Sequence, residues 1–248
     1  NPARQTGWLL LALRAHRRRA GRMAGLLLAL RAHRRPARLT AVPDPIQPPS
    51  PPARVVVLAS GTGSLLNSLL EAAVGSYPAR VVAVGVDRDC RAATIAADAG
   101  IPSYTVRLGE YPDREAWDTA IADATADHQP DLIVSAGFMK ILGPQFLSRF
   151  PGRVINTHPA LLPAFPGAHA VPDALAYGVK VTGCTVHVVD SGVDTGPILA
   201  QQAVEVLDAD DEETLHERIK VVERRLLVDV LAALSTRGVN WSGRKAVL

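Results

Sequence analysis

Two polar side chains stand two residues apart at the end of an apolar run, in Val154-Ile155-Asn156-Thr157-His158-Pro159. In an extended chain, residues i and i+2 share one side. The carboxamide of Asn156 and the imidazole of His158 can therefore converge on one small group. A carboxamide N–H can donate to a developing oxyanion, and an imidazole can move a proton near neutral pH. Pro159 keeps the residue before it extended. Farther along, Asp194 lies among turn-forming residues in SGVDTGP, positions 191–197. A carboxylate beside His158 would favour the imidazolium and raise its pKa. Taken singly, a histidine in such a place is most often a hydrogen-bonded structural residue, and an aspartate in such a segment a turn residue. Spacing alone does not bring Asp194 to His158.

A second candidate is Ser60-Gly61-Thr62-Gly63-Ser64, placed between a β-like run and a helix-like one. Glycines let backbone approach a ligand, and a helix N-terminus offers free N–H groups and partial positive charge. The bland alternative is a tight strand–helix turn. A dinucleotide fingerprint would need a third glycine where Leu66 stands, and a P-loop would need a Gly-Lys-Ser/Thr ending. A single monophosphate is the guest that fits best.

These groups need a scaffold, and the periodicity supplies one. Runs at 54–60, 80–86, 103–106, 131–135 and 153–157 are apolar and β-rich, as buried parallel strands are. Between them, 64–74, 91–99 and 114–127 have helical character; Leu65, Leu66, Leu69, Leu70 and Ala73 follow the three-and-four spacing. Later, 181–189 and 198–206 read as strands joined by turn residues, adding antiparallel pairing at one edge. Residues 211–234 form a long helix with Leu215, Ile219, Val222, Leu226, Val230 and Leu234 in one stripe, capped by Asp210 or Asp211. The fold class expected is α/β: a Rossmann-like, mostly parallel sheet flanked by helices, with antiparallel strands added in the C-terminal half. In such sheets ligands sit at the carboxyl ends of the strands. The stretch 164–172 reads as a mobile loop able to close over substrate.

Composition fits this plan. The chain of 248 residues is 48% hydrophobic but only 4% aromatic, so its core is built from Val, Leu, Ile and Ala. Cys90 and Cys184 have no motif partner, which points away from a disulfide framework or zinc site and toward reduced intracellular thiols. The net charge of +3 is uneven. Residues 1–40 carry ten Arg and no Lys, Asp or Glu, which leaves −7 for the rest. The basic pI therefore gives no argument that the folded part binds nucleic acid.

Residues 9–18 and 26–35 both read LLLALRAHRR. The apolar pieces are too short to span a bilayer and poorly ordered for a signal peptide. A translated upstream stretch, a disordered basic arm and a targeting peptide compete as readings. A proline-rich linker, 42–52, follows. The expected division is an extension at 1–52 and a catalytic domain at 53–248.

Four segments in order, SGTGS at 60–64, AGFMKIL at 136–142, NTHPALLP at 156–163 and DTGP at 194–197, resemble the folate-dependent formyltransferases, and among them those acting on phosphoribosylglycinamide in purine biosynthesis. The resemblance runs from about residue 53 to the C-terminus. It implies Asn156, His158 and Asp194 as the catalytic trio. It also implies Gly63, Ser64 and the backbone of Leu65 at the substrate phosphate, with Glu223 near the glycinamide end. Arg114, Met139, Lys140, Ile141, Leu142 and Asn156 would face 10-formyltetrahydrofolate, a co-substrate, and no metal is implied. Leu65 stands where many relatives have Asn, and Val171 where some have a second His beside His169. The implied partners are glycinamide ribonucleotide and formyl-folate, with no nucleic acid or membrane; a homodimer is left open. The implied compartment is cytoplasmic. Relatives that formylate methionyl-tRNA carry a further C-terminal domain, for which about fifty residues after Asp194 leave no room. Those that hydrolyse formyl-folate carry an N-terminal regulatory domain, which residues 1–50 do not resemble.

Overall fold

A computed structural model describes residues 44–248. The expectations for the basic repeats at 1–40 lie outside the described residues.

The strand β1 (Ala53–Ala59) is buried on both faces, and that decides the layering. Side chains alternate along a strand. Val55, Val57 and Ala59 face one cluster with Leu66 and Leu69 of helix α1 (Ser64–Ala72) and Leu227 and Leu231 of helix α6 (Glu212–Arg237). Val56 and Leu58 face the other cluster. There they meet Trp117 and Ile121 of helix α3 (Arg114–Ala126) and Phe146 of helix α4 (Pro144–Arg149). The sheet is thus the middle of three layers.

Beside β1 lie β2 (Ala79–Val86) and β4 (Leu132–Ser135), both parallel to it. Helix α2 (Arg91–Asp98) leads to β3 (Ser103–Thr105), and β5 (Val154–His158) extends the parallel set beyond β4. Then β6 (Val181–Val188) and β7 (Ile198–Glu205) join antiparallel, giving the order β3-β2-β1-β4-β5-β6-β7. This is the expected fold class. The chain moves outward from β1 in one direction and later in the other, so the loops after β1 and β4 diverge and leave a crevice at their carboxyl ends.

The structure adds elements that periodicity missed. One is α4, a short helix whose start is made by a neighbour: the buried carboxylate of Asp118 on α3 accepts from the backbone N–H of Gly143, Gln145 and Phe146. Another is helix α5 (Ala170–Tyr177). The stretch expected to be mobile, 164–172, therefore ends inside a helix. Pro172 is no obstacle in a first turn, and buried Val171 and Ala174 fasten the helix to the domain. The third is a hairpin, β8 (Asn240–Ser242) with β9 (Lys245–Val247), too short to show a period. The long helix α6 begins as expected, with a capping box between Asp211 and Thr214; Asp210 instead pairs with Arg218.

Ile46, inside the proline-rich segment, is buried and exchanges backbone hydrogen bonds with Val239. Gly238 permits this approach. Its φ is +66°, and a Cβ there would lie 2.0 Å from the Ile46 carbonyl oxygen. Among the described residues no helix is long and apolar enough to cross a membrane.

Asp118→Ala would leave three backbone donors unmet at the start of α4, which buries Phe146. The expected cost is on the order of 3 kcal/mol, read as a lower midpoint in denaturant unfolding; a loss within experimental scatter would refute this account of α4.

Candidate active site

At the carboxyl end of β1 the chain turns through Ser60 to Gly63 into α1. Gly63, the N-cap, has φ +73°, and a Cβ there would meet Ile95 at 2.9 Å and the Ala92 backbone at 3.0 Å. Glycine is required both by the conformation and by the packing of α2. No side chain caps α1, so the N–H groups of its first turn remain available to an anion. Ser64 is half-buried at the first helical position, whereas the Leu65 side chain is buried in the core. Only the backbone of Leu65 can serve a ligand.

On β5, Asn156 and His158 do share one side. Between them Thr157 faces the other way, toward Glu223 on α6. Burial is the main influence on the Glu223 carboxyl and raises its pKa, with the Thr157 hydroxyl and nearby Lys220 opposing it. Glu223 thus stands behind the strand carrying the polar pair.

His158 is buried, and its two ring nitrogens have different neighbours. Nε2 lies 2.8 Å from the Phe165 carbonyl oxygen, so Nε2–H donates there. Nδ1 faces Asp194 Oδ2 at 3.4 Å. Asp194 is also held by the Gly167 N–H at 2.7 Å. Both Asp194 and Phe165 sit in the left-handed region, at φ 53° and 51°. Backbone outliers of this kind are found where a site over-determines the chain.

One member was absent from the sequence reading. The antiparallel register sets His187 of β6 opposite Asn156. Its Nε2 lies 3.2 Å from Asn156 Nδ2 and 3.5 Å from Asp194 Oδ1, while Nδ1–H donates to the Val188 carbonyl at 3.0 Å. With Nδ1–H directed at Val188, Nε2 accepts an Asn156 N–H and stands beside Asp194. A second N–H of the Asn156 amide is left for the crevice. A histidine among the Val, Thr and Cys of 181–189 was the available signal.

The expected rise in the His158 pKa is not what the environment produces. Burial pushes the imidazole below its ordinary value, and the attraction of Asp194 and the Phe165 carbonyl does not offset it. Desolvation disfavours the charged form more than one carboxylate at 3.4 Å restores it. For Asp194 the balance is reversed. Burial alone would raise the carboxyl, but the contact with His187, the Gly167 N–H and the field of His158 hold it low.

Beside the loop carrying Asp194 opens a cavity of about 340 Å³, with Pro144, Leu147, Val188, Val189, Asp190 and Pro197 among its lining. An apolar wall with a few polar groups at its edge suits a flat ring system. The lining comes from α4 and the β6–β7 connection rather than from residues 139–142. In that segment Leu142 is buried while Met139 and Ile141 are exposed. Arg114 donates to the Ile141 carbonyl and lies over the Trp117 ring. Lys140 pairs with Asp87.

The Formyl transferase family profile matches residues 53–231, and the chain belongs to that family. A phosphoribosylglycinamide formyltransferase of Mycobacterium tuberculosis is 76% identical over 201 residues, covering 81% of this chain and 94% of its own length. The enzyme of that name from Bacillus subtilis is 43% identical over 146 residues, 59% of this chain and 74% of its own. The crystal structure of glycinamide ribonucleotide transformylase 1 from Symbiobacterium toebii aligns with a TM-score of 0.77 at 39% identity, over 79% of this chain and 93% of that one.

The pKa directions fix a pH dependence. The unfolded chain takes a proton on His158 near pH 6.5, whereas the folded protein resists it to lower pH. Stability therefore falls as pH drops through the ordinary imidazole value. Asp194, depressed in the fold, adds a loss in the carboxylate range. The unfolding midpoint should drop between about pH 7 and about pH 5, and His158→Asn should flatten the upper part of that slope. An unchanged slope in the variant would contradict the burial argument.

Proposed function

We infer that this chain transfers a formyl group from 10-formyltetrahydrofolate to the amine of 5'-phosphoribosylglycinamide, a step of purine biosynthesis. The observation that carries the reading is the meeting of Asn156, His158 and Asp194 at the mouth of β5 in a chain of this family. The start of α1, which no side chain caps, would take the substrate phosphate at Gly63, Ser64 and the Leu65 amide. The cavity beside Asp190 would take the pterin, with Arg114 and residues Met139 to Leu142 along the rest of the folate. Glu223 would approach the nucleotide from α6. The proposed compartment is the cytoplasm, in keeping with Cys90 and Cys184 being unpaired thiols.

In the reaction the amine nitrogen attacks the formyl carbon, and the carbonyl oxygen becomes an oxyanion. The free N–H of Asn156 donates to it. His158 is neutral at rest because it is buried, and a new anion beside it is what makes the charged ring favourable. Stabilisation that appears only as the intermediate forms lowers the barrier rather than merely tightening binding. The imidazolium so formed has two acceptors waiting, the Phe165 carbonyl and the Asp194 carboxylate. The proton that charges the ring is the one the attacking amine gives up, taken at Nδ1 by way of Asp194, and it returns by the same carboxylate to the departing folate nitrogen, leaving the ring neutral again. Holding two substrates in one crevice supplies much of the remainder.

Mixing the protein with both substrates should release tetrahydrofolate only when the nucleotide is present. Release without nucleotide would make the chain a hydrolase, and no release at all would end the formyl-transfer reading. Asn156→Ala should lower kcat by about a hundredfold or more; a change of only a few-fold would remove Asn156 from its assigned role.

A further inference from the structure

Asp87, the residue after β2, takes no part in the chemistry above, yet its side chain is 1% exposed. A carboxylate so buried must be met by donors. The Arg88 guanidinium binds it at 2.8 and 3.2 Å, Lys140 Nζ lies 3.2 Å away, and the Ser60 hydroxyl donates to it. Burial alone would raise this carboxyl, but these three donors together hold it at about 2. Its partners come from three separate stretches. Ser60 opens the glycine loop after β1, Arg88 follows β2, and Lys140 belongs to the loop after β4.

Ser60 passes the connection on. Its Oγ accepts the Met139 N–H at 2.9 Å, and its own N–H donates to the Gly137 carbonyl at 3.3 Å. On the other side Arg114 holds the Ile141 carbonyl. Met139 and Ile141 are 69% and 64% exposed, so their apolar side chains add little hold. Phe138 is anchored in the core against Trp117, but beyond it residues 139–141 are fastened by polar contacts, and two of these converge on Ser60 and Asp87.

We propose that Asp87 is a positioning residue that ties the folate-side segment 137–142 to the phosphate-side loop 60–63, so that an anion seated at the start of α1 orders the segment that receives the second substrate. This rests on the roles given to the two loops above. Ser60 belongs to both sides: any ligand that stills the 60–63 backbone fixes the Oγ that holds Met139 and the hydroxyl that binds Asp87. Asparagine at 87 would keep the shape but turn an amide donor toward a ring of donors. The chain of contacts would then break with little change of volume.

Hydrogen–deuterium exchange on the full chain, with inorganic phosphate as the probe, tests this directly. In the unsubstituted protein phosphate should slow exchange at 61–66 and, by coupling, about tenfold at 137–142. In Asp87→Asn the protection at 61–66 should persist while that at 137–142 disappears. The KM for formyl-folate should rise by a larger factor than kcat falls. Lys140→Met cuts the same tether from its more exposed end and should give the same exchange pattern if Asp87→Asn folds poorly. Equal protection of 137–142 in the folded variants would overturn the proposal, as would protection confined to 61–66 in the unsubstituted protein. Absence of protection at 61–66 there would overturn both the phosphate reading of that loop and the coupling built on it.

Discussion

A carboxylate withdrawn from water has to be met by hydrogen-bond donors, and Asp194 shows how much structure that demand organises. The Gly167 N–H donates to it, and His158 Nδ1 and His187 Nε2 lie against it, each able to donate there when its ring is charged. Each comes from a different part of the chain: the loop after β5, the end of β5, and β6. Asp194 itself reaches them from a left-handed backbone position. To bring the set together, β6 must pair antiparallel with β5 in the register that puts His187 opposite Asn156. The antiparallel addition to the sheet therefore builds part of the candidate site and is not decoration on a parallel core.

The same physics recurs at two other places. Asp118 gathers the backbone donors that begin α4, and α4 forms a wall of the ring-sized cavity. Asp87 gathers Arg88, Lys140 and Ser60 beside the glycine loop. Apolar anchors such as Phe138, Leu142 and Leu162 seat the loops around the crevice, and buried acids fix the backbone between those anchors. Directional bonds suit this task. Apolar burial sets how tightly layers press together, whereas a carboxylate specifies which backbone N–H lies where.

The sheet was legible because β1, β2 and β4 are apolar on both faces and the helices between them repeat at three and four residues. The elements missed have a common cause. Helix α4 is six residues long and is started by Asp118 from another helix; α5 has a proline in its first turn and is secured by burial of Val171 and Ala174. Neither cause is local. At the site, Asn156 and His158 could be paired by spacing, but Asp194 came only through family resemblance, and His187 not at all, because strand register is a tertiary fact. The direction of the His158 pKa was misread for a related reason. A neighbouring carboxylate can be guessed from motifs, but the depth of burial that outweighs it cannot.

The backbone bonds between Ile46 and Val239 have a consequence for how such a domain can be carried. The segment leading into β1 and the residue just past α6 lie side by side, held in register by a glycine that admits no side chain. A unit entered and left at one spot disturbs a host polypeptide little when spliced into it, much as a bead is threaded through a single clasp. The formyl-transfer fold described here is in that sense portable: its crevice lies at the carboxyl ends of the strands, whereas this meeting of chain lies beside the C-terminal end of the long helix.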